Sequence, residues 1–245
     1  ECGANLLALE GSLRRARIAR SRTRDLLNVT VVSDSFSELV LTEKFDVVTL
    51  IGVLEYAGLY TEAENPAEEM LNRVASFLKP GGVVIIAIEN QLGLKYLAGA
   101  PEDHIQVSMY GLEGRYQKNQ PQTYGRKTLS AMLTKSGLPN TSFLAPFPDY
   151  KLPTSIVTES GFEQNGFDAA AFAWQSVKQD LQLPDILGFA PELVWPQIFS
   201  NELGLELSNS FLVAASATTN KLLESSIPTY HYSSNRVAQY AKETI

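Results

Sequence analysis

Sulfur is scarce in this sequence. One cysteine, Cys2, stands among 245 residues. A single thiol leaves no disulfide framework and no cysteine zinc cage within the chain, which fits a reducing compartment. Histidine occurs twice, as His104 and His231. No apolar run reaches the length of a membrane span, and neither an internal repeat nor a low-complexity tract is found. Positive charge is in deficit: 20 Lys and Arg face 27 Asp and Glu, for a net charge of -7. That balance argues against a sequence-wide attraction to nucleic acid. The one basic cluster, "RRARIARSRTR" at residues 14–24, has no interleaved aromatics and no second cluster to join, so it reads as a solvated helix face. No leader is visible, although the first residue is Glu1 rather than Met, so a missing leader says little. The expectation is a cytoplasmic chain that neither inserts into a membrane nor binds nucleic acid.

What is present suits a folded globular chain: 44% of the residues are hydrophobic and 19% charged. Strand and helix patterns alternate through the first two-thirds. Residues 6–9 read as a strand, and 13–25 as a helix. "NVTVVSD" is a β-branched strand, and its glycosylation sequon at Asn28 is a chance match in a buried segment. "FDVVTLIGVLEY" is an apolar run opening into a loop at Gly52. "NPAEEMLNRVASFL" carries Pro66 and acids in its first turn, both helix-start signals. "KPGG" reads as a tight turn, followed by the buried strand "VVIIAIEN". Continuous apolar strands separated by helices imply a mostly parallel sheet covered on both faces. The rhythm then breaks in a glycine-rich insertion at 91–121. It resumes with a helix stopped by Gly137, a strand, a Pro-rich loop and another strand. Pro184, Pro191 and Pro196 punctuate short helices in 162–203, and 208–217 is a further buried strand.

Ligands of an open parallel sheet sit outside the carboxyl ends of its strands. Three strands here end in acids: Glu10, Asp34 and Glu89. Each taken alone reads more readily as a cap or loop carboxylate, but all three fall on one expected edge. An acid at Glu10, followed by Gly11, can accept hydrogen bonds from ribose hydroxyls. At Asp34, Ser35 and Phe36, a carboxylate can receive an adenine amino group while an apolar side chain covers the ring. Ile51, Gly52 and Val53 form the floor where the next strand opens.

In this order, an acid-ended strand, "SDSF", "FDVVTLIGVLEYAG" and "LNRVASFLKPGGVVIIAIEN" resemble the class I S-adenosylmethionine-dependent methyltransferases, over residues 4–217. The "LKPGG" piece is the most specific. "ENQLGLKYLAGAPEDH" and "PFPDYKLPT" are similar to methyltransferase modules of bacterial surface-polysaccharide proteins, which often lie beside glycosyltransferase or kinase-like modules. The resemblance implies a three-layer Rossmann-like α/β sandwich with S-adenosyl-L-methionine held by the residues just named. It also implies a first strand and a glycine-rich loop ahead of Glu10. Only "ECGAN" stands there, so the fold is expected to be incomplete at its N-terminus and the chain alone inactive. Residues 1–220 are expected to form this domain, and 221–245 an extension that could open a downstream module.

The acceptor chemistry is expected in the inserted loops. Methyl transfer to a hydroxyl needs a proton acceptor, and His104 suits that near neutral pH. A loop histidine bonded to Glu102 or Asp103 is the plainer reading. Tyr56, Glu89, Asn90, Lys95 and Tyr110 are candidates to line an acceptor pocket for a glycan or related small molecule. No metal is expected at Glu102, Asp103 and His104, because adjacent residues seldom face one ion. His231 reads as an edge-strand residue. The rival reading is a non-catalytic methyltransferase-like module supporting a neighbouring domain.

Overall fold

The computed structural model describes residues 3–219, 226–232 and 243–244, with residues 243 and 244 described by backbone alone. The chain divides into two compact units, Glu1–Glu43 and Lys44–Ile245.

In the first unit, β1 (Leu6–Glu10) and β2 (Val29–Ser33) form a two-stranded parallel sheet. Leu6 lies opposite Val29 and Glu10 opposite Ser33. Parallel strands need a crossover, and helix α1 (Leu13–Arg22) supplies it. Ala16 is its one buried residue, and the arginines from Arg14 to Arg24 are all exposed. Arg20 and Arg22 fall in the last turn, where cations complement the helix dipole.

The second unit begins with β3 (Phe45–Ile51), α2 (Pro66–Phe77) and β4 (Leu78–Glu89). The short α3 (Leu94–Leu97) lies in the insertion, and α4 (Arg126–Lys135) ends before Gly137, whose φ of 78° only glycine adopts freely. Then follow β5 (Asn140–Phe147), β6 (Ser155–Val157), α5 (Glu159–Glu163), α6 (Ala169–Ser176) and α7 (Pro191–Ser200). The unit closes with β7 (Ser210–Ser216), β8 (Thr229–Tyr232) and β9 (Glu243–Thr244). The strands stand in the order β3-β4-β7-β5-β6-β8-β9. β3 and β4 are parallel, and β7 enters antiparallel between β4 and β5. The expected α/β architecture holds, but the seven-stranded sheet is mixed: β3 and β4 are its one parallel pair among the described residues, and the other described pairs are antiparallel.

Burial explains the pattern of β4. Val84, Ile86 and Ile88 are fully buried, as are Leu71 and Val74 of α2. Each such side chain contributes about 1.5–3 kcal/mol relative to exposure. A second core joins Phe147 and Val157 to Ala173 of α6 and Trp195 of α7. Phe147 and Trp195 meet edge-on at 5.5 Å.

Two local expectations change. "KPGG" is part of β4 rather than a turn before it. Leu78 pairs with Phe45 and Val83 with Val47, so Lys79–Gly82 bulge out of the ladder at Gly81, where φ is 77°. Pro196 lies inside α7 rather than between helices, while Pro191 occupies its first turn. Of the C-terminal stretch, residues 220–225, 233–242 and 245 fall outside the described residues. The described part joins the second unit: β8 pairs with β6, and Thr158 Oγ1 donates to the Pro228 carbonyl at 3.2 Å.

Candidate functional site

In the first unit, both strands deliver an acid at their carboxyl ends. The Glu10 side chain is about a quarter exposed, at 28%. Its Oε1 accepts from the Ser12 amide at 2.8 Å and from Arg15 at 2.8 Å. These hydrogen bonds, Arg15 first, hold its carboxyl below the usual range. Gly11 follows with the Asp34 carbonyl nearby. Asp34 Oδ1 accepts the Ser35 amide at 2.8 Å, and Ser35 Oγ meets Ser37 Oγ. Asp34 and Ser35 are exposed, and Phe36 is half-buried.

In the second unit, the carboxyl ends of β3, β4 and β5 share one edge, because β7 runs antiparallel to both β4 and β5. Ile51, Gly52 and Val53 leave β3 there. The Gly52 amide donates to the Ala87 carbonyl at 2.9 Å, and its φ is 63°. A Cβ at Gly52 would stand 2.8 Å from the Tyr150 hydroxyl oxygen, so the turn needs glycine for both conformation and space. The 3-10 turn Leu54–Leu59 then buries Glu55, which is 2% exposed. Glu89 ends β4 and is fully buried. The loop after β5 brings in Asp149, Tyr150 and Lys151.

His104 arrives from the insertion with its side chain 9% exposed. Its Nδ1 lies 3.3 Å from Glu102 Oε1, and its Nε2 lies 3.8 Å from Glu55 Oε1. Glu102 is itself fixed. Its Oε2 accepts the His104 and Ile105 amides at 2.8 and 2.6 Å, and its Oε1 accepts from the Tyr116 hydroxyl at 3.2 Å. Tyr56 meets the imidazole edge-on, with ring centroids 5.1 Å apart.

Charge governs this cluster. Burial pushes the Glu89 carboxyl up to about 7, aided by the Asp103 carboxyl beside it and opposed by the Lys151 ammonium in contact with it. Asp103 moves the other way. Burial opposes its ionisation, but Lys95, the Glu89 contact and Lys151 together hold it well below the carboxylate range. Burial raises Glu55. Burial alone would lower the His104 imidazole, but the Glu102 hydrogen bond and the Glu89, Glu102 and Glu55 charges lift it above its ordinary value. Glu55 Oε2 and Glu89 Oε2 are buried without a hydrogen-bond partner.

The expected residues therefore separate. Gly52, Tyr56, Glu89 and His104 come together. Asn90 is buried, and its side chain is spent on the Glu206 and Ser208 carbonyls at 2.8 and 2.7 Å and on the Leu92 amide. Lys95, expected at an acceptor pocket, is instead a core residue. Its ammonium is fully buried and bound to Asp103 at 3.3 Å and Asp149 at 3.2 Å. Tyr110 turns to Gln120, Arg115 and Tyr116 within the insertion. The sequence reading missed Glu55, Asp149 and Lys151. A signal for the last two was present: "FPDYK" places charges directly after an apolar strand, where β5 reaches the same edge as β4.

No protein-family model and no curated protein matches the sequence. Among solved structures, it is similar to an S-adenosylmethionine-dependent methyltransferase from Thermotoga maritima, with 13% identity, a TM-score of 0.47, and 86% of this chain and 72% of that one covered. The N-methyltransferase NodS from Bradyrhizobium japonicum, in complex with S-adenosyl-L-homocysteine, matches at 15% identity and a TM-score of 0.37, covering 54% and 53%. The CcbJ methyltransferase from Streptomyces caelestis matches at 20% identity and a TM-score of 0.35, covering 42% and 46%. Among the described residues, no helix is long and apolar enough to cross a membrane.

Proposed function

We propose that this chain is the methyltransferase part of an enzyme that moves a methyl group from S-adenosyl-L-methionine to a hydroxyl of a glycan or related small acceptor. The observation that carries the reading is the Glu102–His104 pair beside the ends of β3 and β4. A carboxylate on Nδ1 fixes the ring and its tautomer, and leaves Nε2 to take a proton. A strand-ending acid in a parallel pair is chemically suited to ribose hydroxyls, so Glu10 fits the cofactor, with Asp34, Ser35 and Phe36 offered to the adenine. When bound, the cofactor would supply an electrophilic methyl on a sulfonium.

The chain's own residues do the rest. His104 Nε2 removes the acceptor proton as the oxygen attacks. Glu102 stabilises the imidazolium that results. Tyr56 and the left-handed turn at Gly52 shape the pocket and help exclude water, and the main contribution is positioning. Tyr56, half-buried against the imidazole, offers a ring on which the C–H face of a polyhydroxylated acceptor would pack. Asn90 and Lys95 hold the scaffold rather than the acceptor. Neighbouring modules of the polysaccharide type belong to the same reading.

The test uses the full-length native protein, titrated calorimetrically with S-adenosylmethionine and assayed for transfer of labelled methyl to a panel of glycans. Glu10→Ala should weaken cofactor binding by about 1–3 kcal/mol, the scale of a lost charge-assisted hydrogen-bond pair. His104→Ala should lower turnover by roughly 10²-fold or more with cofactor affinity unchanged. Unchanged affinity in the first variant, or normal turnover in the second, removes that residue from its role. Absence of cofactor binding in the wild type overturns the reading.

A further inference from the structure

Glu55, Glu89 and His104 come from three separate segments, yet each offers a ligand atom and these atoms all lie within 4.8 Å of one another. Two further facts bear on what belongs among them. Glu55 and Glu89 are 2% and 0% exposed, and each keeps one buried oxygen, Oε2, that no donor of the ionised network reaches, although a protonated Glu89 can share its proton with Asp103. A buried carboxylate oxygen left without a partner is costly, and a proton or a cation relieves it. The charges nearby are also unbalanced. Glu55, Glu89, Glu102, Asp103 and Asp149 face Lys95, Lys151 and His104. Lys95 is committed to Asp103 and Asp149, while Lys151 contacts Glu89 through Oε1, the oxygen that is not orphaned.

The imidazole is held as a metal ligand would be. Glu102 occupies Nδ1, and this carboxylate–histidine arrangement orients Nε2 and raises its basicity. Nε2 stands 3.8 Å from Glu55 Oε1, too far for a hydrogen bond. Two ligands about 2.1 Å from one ion lie roughly 3–3.5 Å apart, so a small rotamer adjustment closes the set.

We propose that Glu55, Glu89 and His104 bind a divalent transition cation, Mn²⁺ or Zn²⁺. The nitrogen ligand favours these over Mg²⁺ and Ca²⁺, and the two carboxylates make the site harder than a thiolate cage. The proposal rests on side chains of one unit and does not depend on methyl transfer. The two uses of His104 are exclusive, since an Nε2 on a cation cannot take a proton. In the loaded site His104 would be a ligand, the ion would lower the pKa of the acceptor hydroxyl, and its proton would pass to a solvent water.

The test is titration of metal-stripped, full-length protein with Mn²⁺, followed by calorimetry and electron paramagnetic resonance, with Zn²⁺ as competitor. The expected result is one ion per chain, with affinity falling at least 100-fold in Glu55→Gln and Glu89→Gln. Glu102→Gln should cost about 10–100-fold, as outer-shell partners do. Glu68→Gln, an acid on α2 paired with Lys135, should bind like the wild type. Because the chain has only two histidines, a second readout needs no variant. Mn²⁺ should broaden the imidazole resonances of His104 at lower metal ratios, and more strongly, than those of His231. No binding of either ion at millimolar concentration, wild-type affinity in Glu55→Gln, or broadening of His231 in place of His104 would each overturn the proposal. A protein that binds Mn²⁺ but not S-adenosylmethionine would overturn the methyltransferase reading and leave this one standing.

Discussion

Glu10 closes β1 and Glu89 closes β4, each at the carboxyl end of a strand with a parallel neighbour, yet their surroundings drive them in opposite directions. Glu10 keeps contact with water and takes two hydrogen bonds, so its charged form is favoured. Glu89 has no access to water and lies beside Asp103, so its neutral form is favoured up to about pH 7. Topology puts an acid at the carboxyl end of a strand in both cases. Solvent and counter-charge then decide whether it is a ready anion or one that waits for a proton or a metal.

The contrast can be broken most forcefully at Lys95. Lys95→Met keeps the volume but removes the ammonium from buried Asp149 and leaves Asp103 only Lys151 and Tyr96, and should cost about 3–5 kcal/mol by denaturant unfolding. Glu10→Gln, at a surface pair, should cost under about 1 kcal/mol. Equal losses would mean that the buried network is more hydrated than its geometry implies. The glycines after the two parallel pairs sharpen the same comparison. Gly52→Ala combines a positive φ with the close Tyr150 hydroxyl and should lose about 1–3 kcal/mol. A Cβ at Gly11 meets only the Asp34 carbonyl at 3.9 Å, so Gly11→Ala should stay within about 0.5 kcal/mol in thermal melts.

The third prediction concerns pH, in metal-free protein. Glu89 has a folded value of about 7 against an ordinary 4.5, so the folded state binds its proton more tightly. Stability should therefore decline as pH rises from about 4.5 to 7, and Glu89→Gln should remove that decline. Glu10 is lowered from the same 4.5, so its contribution is present above that value and lost as pH falls through the folded value. Glu10→Gln should flatten the acid limb instead. Unfolding free energies measured across pH 3–8 would show two opposite slopes, and slopes of one sign would refute the contrast. The smallest effect is expected for Arg15→Ala: under about 1 kcal/mol, with the Glu10 carboxyl resonance titrating closer to its ordinary value.

Much of the architecture was legible because it rests on local pattern. The β-branched run at 29–33, Pro66 before an amphipathic helix and Gly137 after one are signals that the chain obeys within a residue or two. The bulge at Gly81 was not, since "KPGG" has turn chemistry and only pairing with Phe45 and Val47 draws it into the ladder. The position of β7 also lay beyond local pattern, because nothing in an apolar strand states its neighbours. The site divides the same way. His104 and Glu89 stood out as a rare residue and as an acid ending a buried strand. Glu55 did not, since its importance arises only when segments distant in sequence fold onto one edge. Lys95 misled because a lysine in a polar loop normally reaches for solvent, and here Asp103 and Asp149 hold it in the core.

The central place of β7 also sets a timetable for synthesis. In space it separates β4 from β5, yet it is made after both. From the completion of β5 at Phe147 to the completion of β7 at Ser216, the ribosome adds 69 residues (216 minus 147). At roughly 5–20 residues per second this takes about 3–14 s. During that interval the facing edges of β4 and β5 have no native partner, and the apolar run Val83–Ile88 is a ready template for pairing with other chains. A nascent chain paused before residue 210 should therefore be a preferred client of ribosome-associated chaperones, and one released after 216 should not.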